Sequence, residues 1–383
     1  MYAVAHTRKR SHGTADSKLA PAPATTTPPA NSPGEERPQT PLSQGSGNGV
    51  QLHTAEHWAQ LAETDPIEDD DADSAVGDDN ASSTASITSS ILRYRTINGR
   101  TYHSEQGNAE YWTPNDEHHN ESMDINHHLL SLSLEGKLFL APLEDSIQKV
   151  LDIGTGTGIW AIDFADQYPN AEVIGTDLSP IQPSWVPPNV KFEIEDCTQE
   201  WTFKPDSIDY VHMRYLYGSI SDWSGLIKEA YRVCKPGGWV ESYEASAMME
   251  SDDGTVTDTC AINEWGKFFI EGGKKLGRTF TILDDDLQRK YMEEAGFVDI
   301  KTWDLKAPIG GWAKEDRLRE IGQFAQAALE QDYEGYVLYM ANMVLGWSQE
   351  EVTLYCAQLR REIRSGKFHP YYRQRVVYGR KPE

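Results

Sequence analysis

One stretch narrows the possible folds more than any other. Val150-Leu151-Asp152-Ile153 reads as a short buried strand, Gly154-Thr155-Gly156-Thr157-Gly158 as a turn, and Trp160 to about Tyr168 as a helix. A strand feeding a glycine turn and then a helix brings backbone close to a nucleotide-like ligand and aims a helix N-terminus at it. Spacing then selects among ligands. A dinucleotide site spaces its glycines Gly-x-Gly-x-x-Gly, with the third five residues after the first. Here that position is Ile159, and the third glycine comes one residue earlier, at Gly158.

The residues that follow fill in a sheet. Ala171-Glu172-Val173-Ile174-Gly175-Thr176-Asp177 reads as a second strand ending in a carboxylate, 23 residues after Gly154. An acid in that position accepts hydrogen bonds from both hydroxyls of a ribose. Val190, Phe192 and Ile194 alternate in a third strand that delivers Glu195, Asp196 and Cys197, and Ile208 to Met213 is a fourth apolar run. Val233-Cys234-Lys235-Pro236-Gly237-Gly238 turns into a fifth strand through Tyr243. Glu293-Glu294-Ala295-Gly296-Phe297 ends a helix before a sixth strand, Val298 to about Leu305, and Gln374 to Tyr378 is the natural seventh. Agreement of order and spacing across the set carries more than any one motif.

Together, the acid-x-Gly-x-Gly-x-Gly turn, the strand-end acids and the Lys-Pro-Gly-Gly turn resemble the class I S-adenosylmethionine (SAM) methyltransferases. SAM has no phosphate, so its site needs close backbone approach and carboxylates rather than an anion cradle. The resemblance implies an α/β, Rossmann-like fold with a seven-stranded sheet and an antiparallel last strand. It also implies roles: Asp152 for the methionine amino group, Gly154, Gly156 and Gly158 along the methionine, Asp177 for ribose and Asp196 for the adenine amino group.

Composition frames the rest. Of 383 residues, 1–90 lack the apolar periodicity of a folded domain and carry Pro, Ser, Thr and Ala clusters and an acidic run from Glu63 to Asp79. So little apolar surface does not offset the entropy of ordering, which predicts a disordered arm ahead of one domain over 91–383. The arm carries net charge −8 and the remainder −17. Acidity on both parts argues against gripping nucleic acid through its phosphates, but leaves room for a basic protein partner such as a histone tail. Surplus charge also serves solubility.

Cys197, Cys234, Cys260 and Cys356 show no paired spacing, so neither a disulfide framework nor a zinc site is expected. With no signal peptide and no apolar run long enough to span a bilayer, an intracellular, soluble protein is expected. Arg8-Lys9-Arg10 is either a minimal nuclear import signal or a chance cluster, which leaves nucleus or cytoplasm.

Between arm and sheet lies a segment placed to lid the cofactor. Asn115 reads as the cap of a helix whose first turn carries Asp116 and Glu117, and Met123, Ile125, Leu129, Leu130, Leu132 and Leu134 give it an apolar stripe. The pairs His118-His119 and His127-His128 sit nine residues apart, so one pair largely faces away from the other and no metal site is expected.

Here the chain resembles the fungal LaeA-like methyltransferases. The matching residues are Tyr111, Pro114-Asn115-Asp116-Glu117, Asp124, His127-His128, Asp177-Leu178-Ser179-Pro180-Ile181-Gln182-Pro183, Gly218-Ser219-Ile220-Ser221-Asp222-Trp223 and Tyr378-Gly379-Arg380-Lys381-Pro382. The match covers about residues 93–382 and places Tyr111 with the cofactor. It implies either a nuclear regulator of fungal secondary metabolism and development, working with velvet-domain proteins, or a methyltransferase acting on small molecules. One departure stands out: where the family helix usually reads Arg-Leu-Asp, this chain has Ser122-Met123-Asp124. An arginine there would orient the SAM carboxylate or the acceptor.

Methyl transfer from a sulfonium is an in-line displacement that needs positioning and exclusion of water rather than a nucleophile or metal. A hydroxyl or amine acceptor must still lose a proton. Candidates to take it lie at the carboxyl edge of strands four and five: His212, Arg214, Tyr215, Glu241 and Glu244, with His212 and Glu244 foremost. His212 is equally readable as a core histidine, and Glu244 as a partner of Arg214. Residues 312–370 form a helical insertion before the last strand, with a capped helix start at Trp347-Ser348-Gln349-Glu350-Glu351. Trp312, Tyr333, Tyr336, Tyr339 and Trp347 could line an acceptor pocket beneath it, or simply pack the insertion on the sheet. The function expected is SAM-dependent methyl transfer to an unidentified acceptor, protein or small molecule, with a non-catalytic SAM-binding scaffold as the third possibility.

Overall fold

In the computed structural model, which describes residues 52–64, 93–104 and 111–383, seven strands hydrogen-bond into one sheet. They are β1 (Lys149–Ile153), β2 (Glu172–Asp177), β3 (Val190–Ile194), β4 (Ile208–Arg214), β5 (Cys234–Glu250), β6 (Val298–Pro308) and β7 (Tyr371–Arg380). Their spatial order is β3-β2-β1-β4-β5-β7-β6. The first five run parallel, whereas β7 lies antiparallel between β5 and β6, pairing Tyr243 with Val376 and Trp303 with Val376 on its other side. Parallel strands covered on both faces read as continuous apolar runs, and Val150, Leu151, Val211 and Val240 are fully buried. The strand order reverses beside β1, so the carboxyl ends of β1, β2 and β4 open a crevice there.

Among the described residues, ten helical segments surround or extend the sheet. They are α1 (Ala55–Thr64), α2 (Glu117–Ser133), α3 (Ile159–Gln167), α4 (Trp223–Val233), α5 (Ala261–Leu276), α6 (Leu287–Ala295), α7 (Asp316–Gln331), α8 (Tyr333–Leu338), a π-helical turn (Tyr339–Val344) and α9 (Gln349–Arg364). The insertion between β6 and β7 is helical as expected, and Ser348 and Glu351 form a reciprocal capping box at the start of α9. Helix α5 has no counterpart in the sequence reading. Its signal is the apolar spacing of Ile262, Trp265, Phe268 and Phe269, all buried against α9 and β5.

Two expectations are corrected. Asp116, not Asn115, caps α2, accepting the His119 N–H at 3.1 Å, while the Asn115 amide bonds Ser179. Residues 52–64, read as part of a disordered arm, are ordered: Trp58 is fully buried and lies edge-on to Tyr355 of α9, with ring centroids 5.5 Å apart. One aromatic side chain anchors a segment that its polar neighbours argued against. The rest of that arm, with Arg8-Lys9-Arg10, lies outside the described residues.

A hairpin (Arg95–Ile97 and Arg100–Tyr102) locks α2 to the insertion. Arg100 donates to Asp116 at 2.6 and 2.8 Å and to Asp332 at 2.8 Å twice, and Asp332 also bonds His119 at 2.9 Å. Burial alone would raise Asp332, but the Arg100 and His119 bonds hold it well below the usual carboxylate range. Among the described residues no helix is long and apolar enough to cross a membrane.

Candidate cofactor and acceptor site

The glycine turn is built from left-handed backbone: φ is +66° at Gly154, +58° at Gly156 and +81° at Gly158. A Cβ on Gly158 would come within 2.3 Å of the Phe192 ring, and one on Gly154 within 2.5 Å of the Leu216 side chain. The turn is therefore held open by the absence of side chains. It floors a cleft of about 1050 Å³, mouth included, which Tyr111, Asp152, Asp177, Asp196 and Arg214 also line.

Each acid is held from behind. Asp152 accepts His212 Nδ1–H at 2.7 Å on one oxygen and the Thr155 hydroxyl at 2.6 Å on the other. Asp177 accepts the backbone N–H of Gly156 at 2.9 Å and of Ser179 at 3.0 Å. Burial outweighs these bonds and pushes its carboxyl up to about 6. Asp196 accepts the Thr198 hydroxyl at 2.7 Å and N–H at 3.0 Å. Tyr111 is fixed through its N–H, which donates to His103 Nε2 at 2.8 Å, and burial pushes its phenol up to about 12. Gln182, in the Asp-Leu-Ser-Pro-Ile-Gln-Pro run, donates to the carbonyls of Gly156 at 2.7 Å and Ser179 at 3.0 Å. That run thus clamps the loop after β2 onto the glycine turn.

The proton acceptors expected at the sheet edge are placed otherwise. His212 is buried, lies flat on Trp160 with centroids 3.7 Å apart, and does not line the cleft. Burial holds its pKa below the ordinary value. Glu244 is buried and accepts the N–H groups of Leu216 and Tyr217 at 3.2 and 3.0 Å. Glu241 likewise accepts those of Leu140 and Ala141. Burial pushes Glu244 up to about 8 and Glu241 up to about 7. Both carboxyls fasten loops. Arg214 makes no ion pair with Glu244; it donates to His127 Nδ1 at 3.1 Å, while His127 Nε2 bonds Asp163 at 2.9 Å. His128 packs on Phe324, and among the described residues no group of His, Cys, Asp or Glu is arranged to hold a metal.

A second chamber of about 600 Å³, mouth included, adjoins the cleft, and Asn126 and Tyr215 line both. Its walls come from α2, β5, α5, α7, α8 and β7, and include Trp112, Tyr217, Trp265, Phe269, Tyr336 and Tyr372. Of the insertion's aromatics only Tyr336 reaches it; Tyr333 and Tyr339 join the core, Trp347 packs on Phe268, and Trp312 donates to the Pro370 carbonyl. Among the described residues no Asp, Glu, Lys, Arg or His lines this chamber.

Residues 125–302 match a family described as a methyltransferase domain. The methyltransferase pytC of Aspergillus terreus is 38% identical over 305 residues, covering 79% of this chain and 93% of that protein. The secondary metabolism regulator LAE1 of Cochliobolus heterostrophus is 33% identical, covering 75% and 94%. The secondary metabolism regulator laeA of Aspergillus fumigatus is 30% identical, covering 89% and 90%. The chain belongs to the LaeA-like SAM-dependent methyltransferases.

As a LaeA-like methyltransferase it uses SAM, and the cleft fits that cofactor: side-chain-free backbone at the turn, then three carboxylates at successive strand ends. When bound, SAM supplies a methyl group already activated by its sulfonium. The departure from the family at Ser122 falls elsewhere. Ser122 donates to the Ala328 carbonyl at 2.6 Å and shares a hydrogen bond with the Tyr336 hydroxyl at 2.8 Å. Ala328 and Tyr336 line the second chamber, so this position shapes the wall of that chamber.

Proposed function

We propose that this LaeA-like methyltransferase transfers methyl groups to a neutral small molecule of secondary metabolism, seated in the aromatic chamber while SAM occupies the cleft. Asp152 then holds the methionine amino group, Gly154, Gly156 and Gly158 pass along the methionine, and Tyr111, Asp177 and Asp196 hold the nucleoside. The observation that carries the reading is a chamber with aromatic walls and no charged lining among the described residues. A lysine or arginine of a protein acceptor would be desolvated there with no carboxylate to meet it.

The second reading, a nuclear regulator with a velvet-type partner, draws on the names of LAE1 and laeA. It predicts a methylated protein and nuclear retention, where the small-molecule reading predicts cytoplasmic residence. Purified protein is incubated with methyl-tritiated SAM and host cell extract, with Asp177→Ala as control, and label is split between precipitated protein and organic-soluble metabolites. Control-sensitive label in the organic phase is expected. Control-sensitive label in protein alone would favour the regulator.

A further inference from the structure

Asn126 stands on α2 where the two cavities meet and lines both. Its neighbours on the helix are engaged: Ser122 with Ala328 and Tyr336, His127 with Asp163 and Arg214. The Asn126 carboxamide, half-buried, makes no hydrogen bond to any described residue. A carboxamide facing aromatic walls carries two N–H donors and an acceptor oxygen that a ligand can satisfy. Across the junction stands Tyr215, a bulky residue held at φ +56°, in the left-handed region. Its hydroxyl is engaged with Tyr372 at 3.4 Å and Gln374 at 3.3 Å. Asn126 is thus the open polar group at the point where donor and acceptor must meet.

The same junction constrains the acceptor. His127 uses both ring nitrogens, Glu241 and Glu244 are tied to backbone, and Asp152, Asp177 and Asp196 are taken up by the cofactor in the reading above. A carboxamide does not take up a proton. An acceptor that reacts here must therefore ionise readily by itself, as a phenol does at about pH 10 and an aliphatic alcohol does not.

We infer that Asn126 is the positioning residue for the acceptor, hydrogen-bonding the oxygen to be methylated, and that the acceptor is a neutral molecule bearing an acidic hydroxyl, a phenol or an enol. This rests on the small-molecule reading above. In the transfer, the acceptor oxygen forms its bond to the methyl carbon as the sulfur–methyl bond breaks. The sulfur keeps the electron pair, leaving S-adenosylhomocysteine (SAH), and the hydroxyl proton passes to water.

The test is calorimetric binding of 2-naphthol, 2-methoxynaphthalene and 2-naphthoate to the SAH-loaded protein. Wild type should bind 2-naphthol about tenfold tighter than either other probe, the loss expected when a site's hydrogen-bonding group goes unmatched. Asn126→Leu, similar in volume, should lose that preference, whereas Asn126→Asp, which keeps acceptor oxygens, should retain it. SAH affinity should change less than about twofold in both, which a general disruption of the fold would not allow. Equal affinity for all three probes, no measurable binding of any, or an unaltered preference in Asn126→Leu would overturn the assignment. The labelled product separates the two levels. Methyl on nitrogen or aliphatic carbon would sink this inference alone, whereas no organic-soluble label from wild type would sink the reading beneath it.

Discussion

His212 donates its Nδ1–H to Asp152 at 2.7 Å while its ring lies 3.7 Å above Trp160, at 4° between planes. A histidine that sequence position offers as a base is thereby committed to orienting an acid. His212→Leu should strip Asp152 of a buried hydrogen bond to a charged group, worth ~1.5–3 kcal/mol. SAH affinity should fall about tenfold or more, while the shape of the pH–rate profile of methyl transfer stays as in wild type. A titration limb that disappears in the variant would return His212 to the role of base.

In the proposed pose, where Asp177 holds the ribose, cofactor binding is pH-dependent. The Asp177 carboxyl, raised to about 6 by burial, must be ionised to accept from both ribose hydroxyls. The bound state favours the charged form, so affinity is full above that value and falls as pH drops through it, by up to about tenfold per unit. Calorimetry with SAH from pH 7.5 to 5 should show the fall, and Asp177→Asn should bind weakly at every pH with a flattened profile.

Glu244 affects stability rather than chemistry. Its folded pKa of about 8 lies above the ordinary glutamate value of 4.5, so its stabilising contribution is whole below 4.5 and is lost as pH rises through 8. Melting temperature should therefore decline between pH 5 and 9, less steeply in Glu244→Gln. Glu244→Ala leaves the N–H groups of Leu216 and Tyr217 unpartnered, at about 1–3 kcal/mol each, and should melt well below the Gln variant.

Much of this was legible along the chain because it is local. Strand runs, the glycine turn and the acids at 152, 177 and 196 are spaced by backbone geometry that short segments dictate. The reason for Gln182 was not legible: its run was distinctive, but the Gly156 carbonyl it clamps lies 26 residues earlier. Still less could sequence place Ser122 against Tyr336, 214 residues on, or assemble a chamber from six helices and strands that meet only in the fold. Helix α1 was missed because one buried tryptophan outweighs a polar composition averaged over 90 residues.

Trp58 measures that anchoring. Trp58→Ala should cost ~3–5 kcal/mol in urea unfolding, the range for deleting a buried tryptophan, with SAH affinity little changed because α1 packs on α9, away from the cleft. A cost below about 1 kcal/mol would show that α1 contributes nothing to the fold.

The central claim, that methyl acceptors enter the aromatic chamber, is tested most directly by filling it. Ala325 lines the chamber from α7, so Ala325→Phe should take up that space. Transfer of tritiated methyl to organic-soluble product should drop about a hundredfold, with SAH affinity within twofold of wild type and melting temperature nearly unchanged. Undiminished transfer in a folded, SAH-binding Ala325→Phe protein would contradict the account and send the acceptor elsewhere.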